Sequence, residues 1–206
     1  MKAGWITMTA VVGALVFAAV GTAAPAPAAS SIFRVRPDLR MCPSPLCGGF
    51  WVSRANRATT TCVDGTVQAW CYVAGIDHWR PRGGSFLVRG RIVRSSTAGS
   101  PGRLIPTGEW TPVAAAPWSG ALYLVTDTGI RCVRAPCFSL RASAVNTTLN
   151  SSVSGVDLTA VAAAPTLVRR AEAALIHGGL LVAGTIRRDA DGGRTVRAVQ
   201  FFLAVG

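Results

Sequence analysis

Asp77 and His78 stand side by side, and Asp157 follows later in a similar local setting. An imidazole beside a carboxylate is the minimum for an oriented base, and two carboxylates can flank a glycosidic bond. Those three residues define one chemical expectation, an envelope hydrolase. The support is thin. Neighbouring residues of a strand point to opposite faces, so Asp77 orients His78 poorly. The other histidine, His177, precedes Gly178-Gly179, an ordinary place for a histidine ending a helix. No G-x-S-x-G elbow and no H-E-x-x-H is present. Of the two glutamates, Glu109 and Glu172, the second has no counterpart in the other half of the chain. The plainer reading makes Asp77 and Asp157 turn or cap residues. An enzyme is therefore the less favoured class, and no cofactor is expected.

The cysteines are the second source of chemistry. All six, Cys42, Cys47, Cys62, Cys71, Cys132 and Cys137, follow an apolar leader. A zinc site built on Cys42, Cys47, Cys132 and Cys137 would sit at the limit of the usual ligand spacing and would need reduced thiols. An even count behind a leader reads instead as a disulfide set. Two short Cys-x4-Cys segments then become rings. In the second, Arg134-Ala135-Pro136 would be held at low entropy cost, as a protease inhibitor offers a basic residue to a trypsin-like pocket. The alternative is a stiff corner between strands.

A duplication organises these residues. Phe33-x-Val35 precedes Cys42 as Tyr123-x-Val125 precedes Cys132. Cys42 to Cys47 matches Cys132 to Cys137, and Asn56 matches Asn146. Ile76-Asp77 resembles Val156-Asp157, Leu87 to Ile92 matches Leu181 to Ile186, and Gly102 to Trp110 matches Gly193 to Phe201. The offset stays near ninety residues, which marks two copies of about 31–119 and 120–206. Cys62 and Cys71 arrive together in extra residues of copy one. The pairing Cys42–Cys47, Cys62–Cys71 and Cys132–Cys137 follows most simply. Copy two has its own insertion, with Pro165 to Ile176 helix-like: Leu167, Ala171, Ala174 and Leu175 recur at helical spacing, and Gly178 is a plausible stop.

The remaining blocks read as strands. Phe50 and Val52 alternate with Trp51 and Ser53. The glycine inside Leu87–Ile92 and inside Leu181–Ile186 suggests a bulge or a close backbone approach. Asn56 and Asn146 end their strands in a turn conformation that Asn tolerates. Each copy is expected to be two strands, a loop or helix, and two strands. The fold expectation is α+β or mostly β, mainly antiparallel, pseudo-symmetric and disulfide-stapled. Whether the copies make two domains or one intertwined sheet stays open, and residues 29–206 are taken as a single domain.

The blocks Cys42-Pro43-Ser44-Pro45-Leu46-Cys47-Gly48-Gly49-Phe50, Thr60-Thr61-Cys62-Val63-Asp64-Gly65, Cys71-Tyr72-Val73-Ala74 and Gly129 to Cys137 resemble a family of bacterial exported proteins. These share domain of unknown function 6748. The resemblance covers nearly all of the chain beyond the leader. It implies an exported compartment and the domain extent, and it implies no activity and no functional residues.

The leader is read from Lys2, the apolar run Ile6–Val20 and the small-residue stretch ending at Ala26-Pro27-Ala28. That order fits a cleavable signal peptide over residues 1–28, and the run is shorter than the roughly 20 residues of a membrane span. The formal net charge is +12, and every basic residue after Lys2 is arginine. The arginines are scattered rather than clustered with aromatics, so specific nucleic-acid binding is not expected. The plainer reading of the arginine excess is the coding bias of a GC-rich genome. The functional alternative is an anionic envelope component or another exported protein as partner, and the sequence names neither. The sequence points to a secreted or periplasmic structural or binding module, without membrane span after cleavage.

Overall fold

A computed structural model describes residues 30–43, 47–77, 86–95, 101–115 and 117–205. The leader read over residues 1–28 and His78 lie outside the described residues. The first half supplies strands β1 (Ser31–Pro37), β2 (Phe50–Arg54), a small hairpin of β3 (Thr60–Thr61) and β4 (Val67–Gln68), β5 (Cys71–Ile76), β6 (Phe86–Val93) and β7 (Gly102–Pro112). The second half supplies β8 (Ala121–Asp127), β9 (Leu140–Ala144), β10 (Asn150–Val153), β11 (Gly155–Asp157), helix α1 (Pro165–His177), β12 (Leu180–Arg188) and β13 (Arg194–Ala204). The protein is mostly β and mainly antiparallel.

Strand pairing closes the first half into a five-stranded barrel. β1 runs antiparallel to β2, β2 to β5, β7 to β6, and β6 returns to β1. The remaining seam, β5 against β7, is parallel. Period-two alternation puts Phe33, Val35, Val52, Val73, Val88 and Leu104 inside. The second half closes in the same order. β8 pairs with β9, β9 with β10, β13 with β12, and β12 with β8. Ser154 carries β10 into β11, which lies parallel to β13. Ser154 bridges that corner: its N–H and hydroxyl both donate to the Arg194 carbonyl, at 2.7 and 2.8 Å.

The expected two-strand, loop, two-strand unit therefore lacks a strand. The missing third strand is β5 in one half and β10–β11 in the other. β5 begins inside the segment read as an insertion, and Asn150-Ser151-Ser152 carries too little apolar character to announce a strand. The helix runs one residue past its expected end. Pro165 occupies its first turn, and Ala171, with Leu167, Val168, Ala174 and Leu175, covers the second barrel's core. Gly178 is extended at φ 176°, and the left-handed residue is Gly179 at φ 102°.

A third apolar cluster lies between the barrels: Ile32, Leu87, Leu122, Leu181 and Phe202, with Trp118 edge-on to Phe202 at 5.2 Å. Burying each such side chain contributes about 1.5–3 kcal/mol. Backbone pairing crosses the same boundary, with Phe202, Leu203 and Ala204 opposite Pro112, Thr111 and Trp110. Buried Gln200 holds the connecting segment, accepting from the Val113 and Ala114 N–H groups and donating to the Ala114 carbonyl at 2.6 Å.

The two asparagines do more than end strands. Both are left-handed, Asn56 at φ 57° and Asn146 at φ 58°. The Asn56 amide donates to the carbonyls of Leu122 and Val145 at 2.6 and 3.1 Å and accepts from Leu122 N–H at 2.8 Å. The Asn146 amide donates to the carbonyls of Ile32 and Ala55 at 2.7 and 2.9 Å and accepts from Ile32 N–H at 2.9 Å. Each half thus closes backbone bonds belonging to the other. The interior glycines sit where the sequence suggested, at register shifts next to Gly90 in β6 and Gly184 in β12.

Candidate functional site: an aromatic face beside a disulfide loop

The connection from β1 to β2 carries the Cys42–Cys47 disulfide. Its base is pinned twice. The Asp38 N–H donates to the Gly49 carbonyl at 2.9 Å. The Arg40 guanidinium grips the enclosed Asp38 carboxylate through Nε and Nη2 at 2.8–3.0 Å. That geometry is bidentate, the strong form of an arginine–carboxylate contact.

Arg40 also lies over two rings, 5.2 Å from Trp51 and 5.6 Å from Tyr72. Strand register makes those rings neighbours. Trp51 is directly opposite Tyr72 on one side and Arg36 on the other. Val35, Val52 and Val73 point into the barrel, so this row points out. Trp51 and Tyr72 meet edge-on at 5.4 Å. Arg36 lies over Trp70 at 4.3 Å. The Tyr72 hydroxyl accepts from Gly49 N–H at 3.0 Å, fixing the ring beneath the loop. Nearby, the Cys62–Cys71 disulfide ties the β3–β4 hairpin to the start of β5. The result is a patch of three aromatic rings contacted by two guanidinium groups.

The corresponding loop of the second barrel holds the Cys132–Cys137 disulfide. Its base is pinned alike: Arg131 contacts both Asp127 oxygens at 3.0 and 2.8 Å, and Thr128 donates to the Ser139 carbonyl through N–H and hydroxyl. Arg134 and Ala135 are exposed, and Pro136 is half-buried. Phe138 sits under Arg194 at 5.5 Å. The outward row here is Thr126, Arg141 and Ser152, without an aromatic residue. Aromatic side chains set the first barrel apart.

The other sequence candidates are dispersed. Asp77 follows β5 in the first barrel and is ion-paired with Arg103. Asp157 ends β11 in the second and accepts from the N–H and hydroxyl of Thr159 at 3.0 and 2.6 Å, the turn role that the plainer reading gave it. The four cysteines of the zinc alternative are consumed in disulfides, and no cluster of potential metal ligands occurs among the described residues. No helix among them is long and apolar enough to cross a membrane. Trp51 and Tyr72 were missed as a pair. Phe50-Trp51-Val52 and Cys71-Tyr72-Val73 share one alternation, which assigns both rings to the outer face once β2 and β5 are known to be neighbours.

The carboxylates at the loop bases are acidified. The hydrogen-bonded Arg40 beside Asp38, and Arg131 beside Asp127, hold these groups below the usual aspartate range. The Thr66 hydroxyl does so for Asp64, and the Thr159 hydroxyl for Asp157. Glu109 moves the other way, raised by burial. A lowered folded-state value adds stability that is complete above the unfolded aspartate value of about 3.9 and is lost as pH falls through the folded one. Glu109 opposes this: its ionisation weakens the fold as pH rises through its raised value. With four aspartates against one glutamate, the thermal midpoint is expected to stay level from pH 7 to 5 and to drop below pH 4. Asp38→Asn should flatten the drop. An unchanged midpoint at pH 2.5 would show that these contacts contribute nothing.

Fold and loops together define a class: paired five-stranded barrels, each with its first connection clamped by a disulfide. The chain belongs to the family described as a domain of unknown function, DUF6748, whose model matches residues 31–206. No curated protein and no solved structure gave a match.

Proposed function

We propose that this chain is an exported, non-enzymatic binding module made by duplication of one barrel unit, and that it takes an acidic oligosaccharide on the Arg36–Trp51–Tyr72 face. The identical order of strand pairing in the two halves supports duplication, as do the reciprocal asparagine bonds. Three disulfides and the leader-like first residues support export. In each half the strand order is first, second, third, fifth, fourth, closing on the first. In the second half a helix lies between the third and fourth strands. That is the connectivity of oligonucleotide- and oligosaccharide-binding barrels, which use the face of strands two and three and the adjoining first loop. Fold analogy alone does not assign function. The observation that carries the reading is the Trp51–Tyr72 pair, on that face, bracketed by Arg36 and Arg40. Aromatic side chains receive the ring of a sugar, and the Arg36 guanidinium, which forms no ion pair among the described residues, favours one that bears carboxylates.

The test is calorimetric titration of residues 30–206 with an oligogalacturonate, a neutral maltooligosaccharide and a thymidine oligonucleotide. The expected result is salt-sensitive binding of the acidic sugar, weakened about tenfold by Trp51→Ala, equivalent to ~1.4 kcal/mol. Undiminished binding by Trp51→Ala, or no binding at all, would overturn the assignment of this face. Preference for the oligonucleotide would overturn the ligand class.

A further inference from the structure

Between the barrels lies a cleft of about 640 Å3 that shares no lining residue with the aromatic patch. Arg34, Arg54 and Arg57 line its first-barrel side, and Tyr123, Ala142 and Ile186 line the opposite wall. The volume is that of sites for small organic ligands. No carboxylate lines it, and none of the three arginines forms an ion pair among the described residues. Three like charges without a counter-charge repel one another, most strongly where water is scarce.

Two of these arginines are half-buried and incompletely bonded, and Arg54 also lines a second cavity with Phe33 and Thr61. The Nε atoms of Arg34 and Arg54 are buried without a hydrogen-bond partner. Such groups are uncommon, and leaving one unpaired is costly, more so when it is charged. The Arg34 guanidinium carbon lies over the Trp118 ring, 4.0 Å from its centroid, a cation–π contact that helps hold it. Arg57 is anchored through Nε to the Asn146 carbonyl at 2.8 Å. Both groups are therefore held before any ligand arrives, which lowers the entropy cost of binding. Burial weakens the hold of Arg34 on its proton, consistent with a cation lacking a counter-ion.

We propose that this cleft is a binding site for a small organic oxyanion, a phosphate monoester or carboxylate with a compact apolar body. The oxyanion lies against the guanidinium groups, where planar forks match its oxygens. The apolar body faces Tyr123, Ala142 and Ile186. The ligand would bridge the two barrels, so binding should also resist their separation.

The experiment titrates residues 30–206 with phenyl phosphate, benzoate and inorganic phosphate, following heat and backbone amide shifts. Saturable one-to-one binding of phenyl phosphate or benzoate is expected, tighter than inorganic phosphate, with shifts at Arg34, Arg57, Tyr123 and Ala142. Whichever of the two aromatic anions binds more tightly identifies the head group. Arg34→Gln and Arg54→Gln are each expected to weaken binding at least tenfold. Removing an unpaired cation should leave the thermal midpoint unchanged or raise it, so the variants remain testable. Arg170→Gln, on the exposed side of the helix, removes the same charge and should leave affinity unchanged. The proposal is overturned if no probe binds at millimolar concentration, if shifts map elsewhere, or if Arg170→Gln weakens binding as much as Arg34→Gln.

Discussion

Asn146→Ala is expected to lower stability by about 3–5 kcal/mol, with Asn56→Ala close behind. Asn146 makes three bonds to the backbone of Ile32 and Ala55, and Asn56 makes three to Leu122 and Val145. Alanine removes all three and leaves main-chain groups at the barrel junction without partners, at about 1–3 kcal/mol for each group that water does not reach. It also places a Cβ-bearing, non-amide residue at a left-handed position, adding about 1 kcal/mol. Asn146→Gly separates the causes, because glycine accepts that backbone at little cost. Denaturant titration should find Asn146→Gly within about 1 kcal/mol of the alanine variant. If glycine restores most of the stability, the amide bonds carry little and the backbone term dominates. The two asparagines lock one junction from opposite sides, so the double variant should depart from additivity.

The second large effect belongs to Gly184. A Cβ there would fall well inside contact distance of the Arg197 carbonyl, and at Gly90 it would meet the Ile105 carbonyl in the same way. Both obstacles are backbone oxygens in the neighbouring strand, which cannot rotate away. Gly120 crowds Gly184 from the other side, since a Cβ on Gly120 would stand 2.6 Å from the Gly184 carbonyl. Gly184→Ala must open the bulge between β12 and β13, at an expected cost of ~3 kcal/mol or more. For a domain of this size that lowers the melting temperature by about 6–12 °C. Gly75→Ala is the control: nothing lies near its Cβ position and its φ is not positive. Equal melting temperatures for Gly184→Ala and Gly75→Ala would refute the close-approach argument.

What the sequence revealed was local. The three disulfides join cysteines five to nine residues apart, a scale at which spacing and the matching sequence blocks suffice. The helix followed from Pro165 and the spacing of Leu167, Ala171 and Leu175. The glycine bulges and the left-handed asparagines followed from residue type. Closure of the barrels was not legible. β1 meets β6 through Ser31 and Gly90, and β5 meets β7 in parallel, pairings between distant segments that no turn residue announces. Without closure the third strand had no partner on either side, so a polar stretch such as Asn150–Ser152 read as loop. The aromatic face depended on the same step. Trp51 sat on a readable outward position, but Tyr72 lay in the unrecognised third strand, and only the β2–β5 register brought the two together. The cleft was hidden further still, since Arg34 and Tyr123 belong to strands of different barrels.

The reciprocal asparagine bonds also set an order in time. Ile32 finds its side-chain partner 114 residues downstream, in Asn146. At a synthesis rate of 5–20 residues per second, the first half waits about 6–23 seconds for that partner to be made. During the wait the Ile32 N–H lacks that partner, although the Ile32 carbonyl already accepts from the Ala55 N–H of the same half. A second nascent copy close by offers the same asparagine, so crowded synthesis should favour exchange of halves between chains. Dilution during refolding should favour the closed single chain. An exchanged dimer would contain every bond described for one molecule, with its two halves drawn from two.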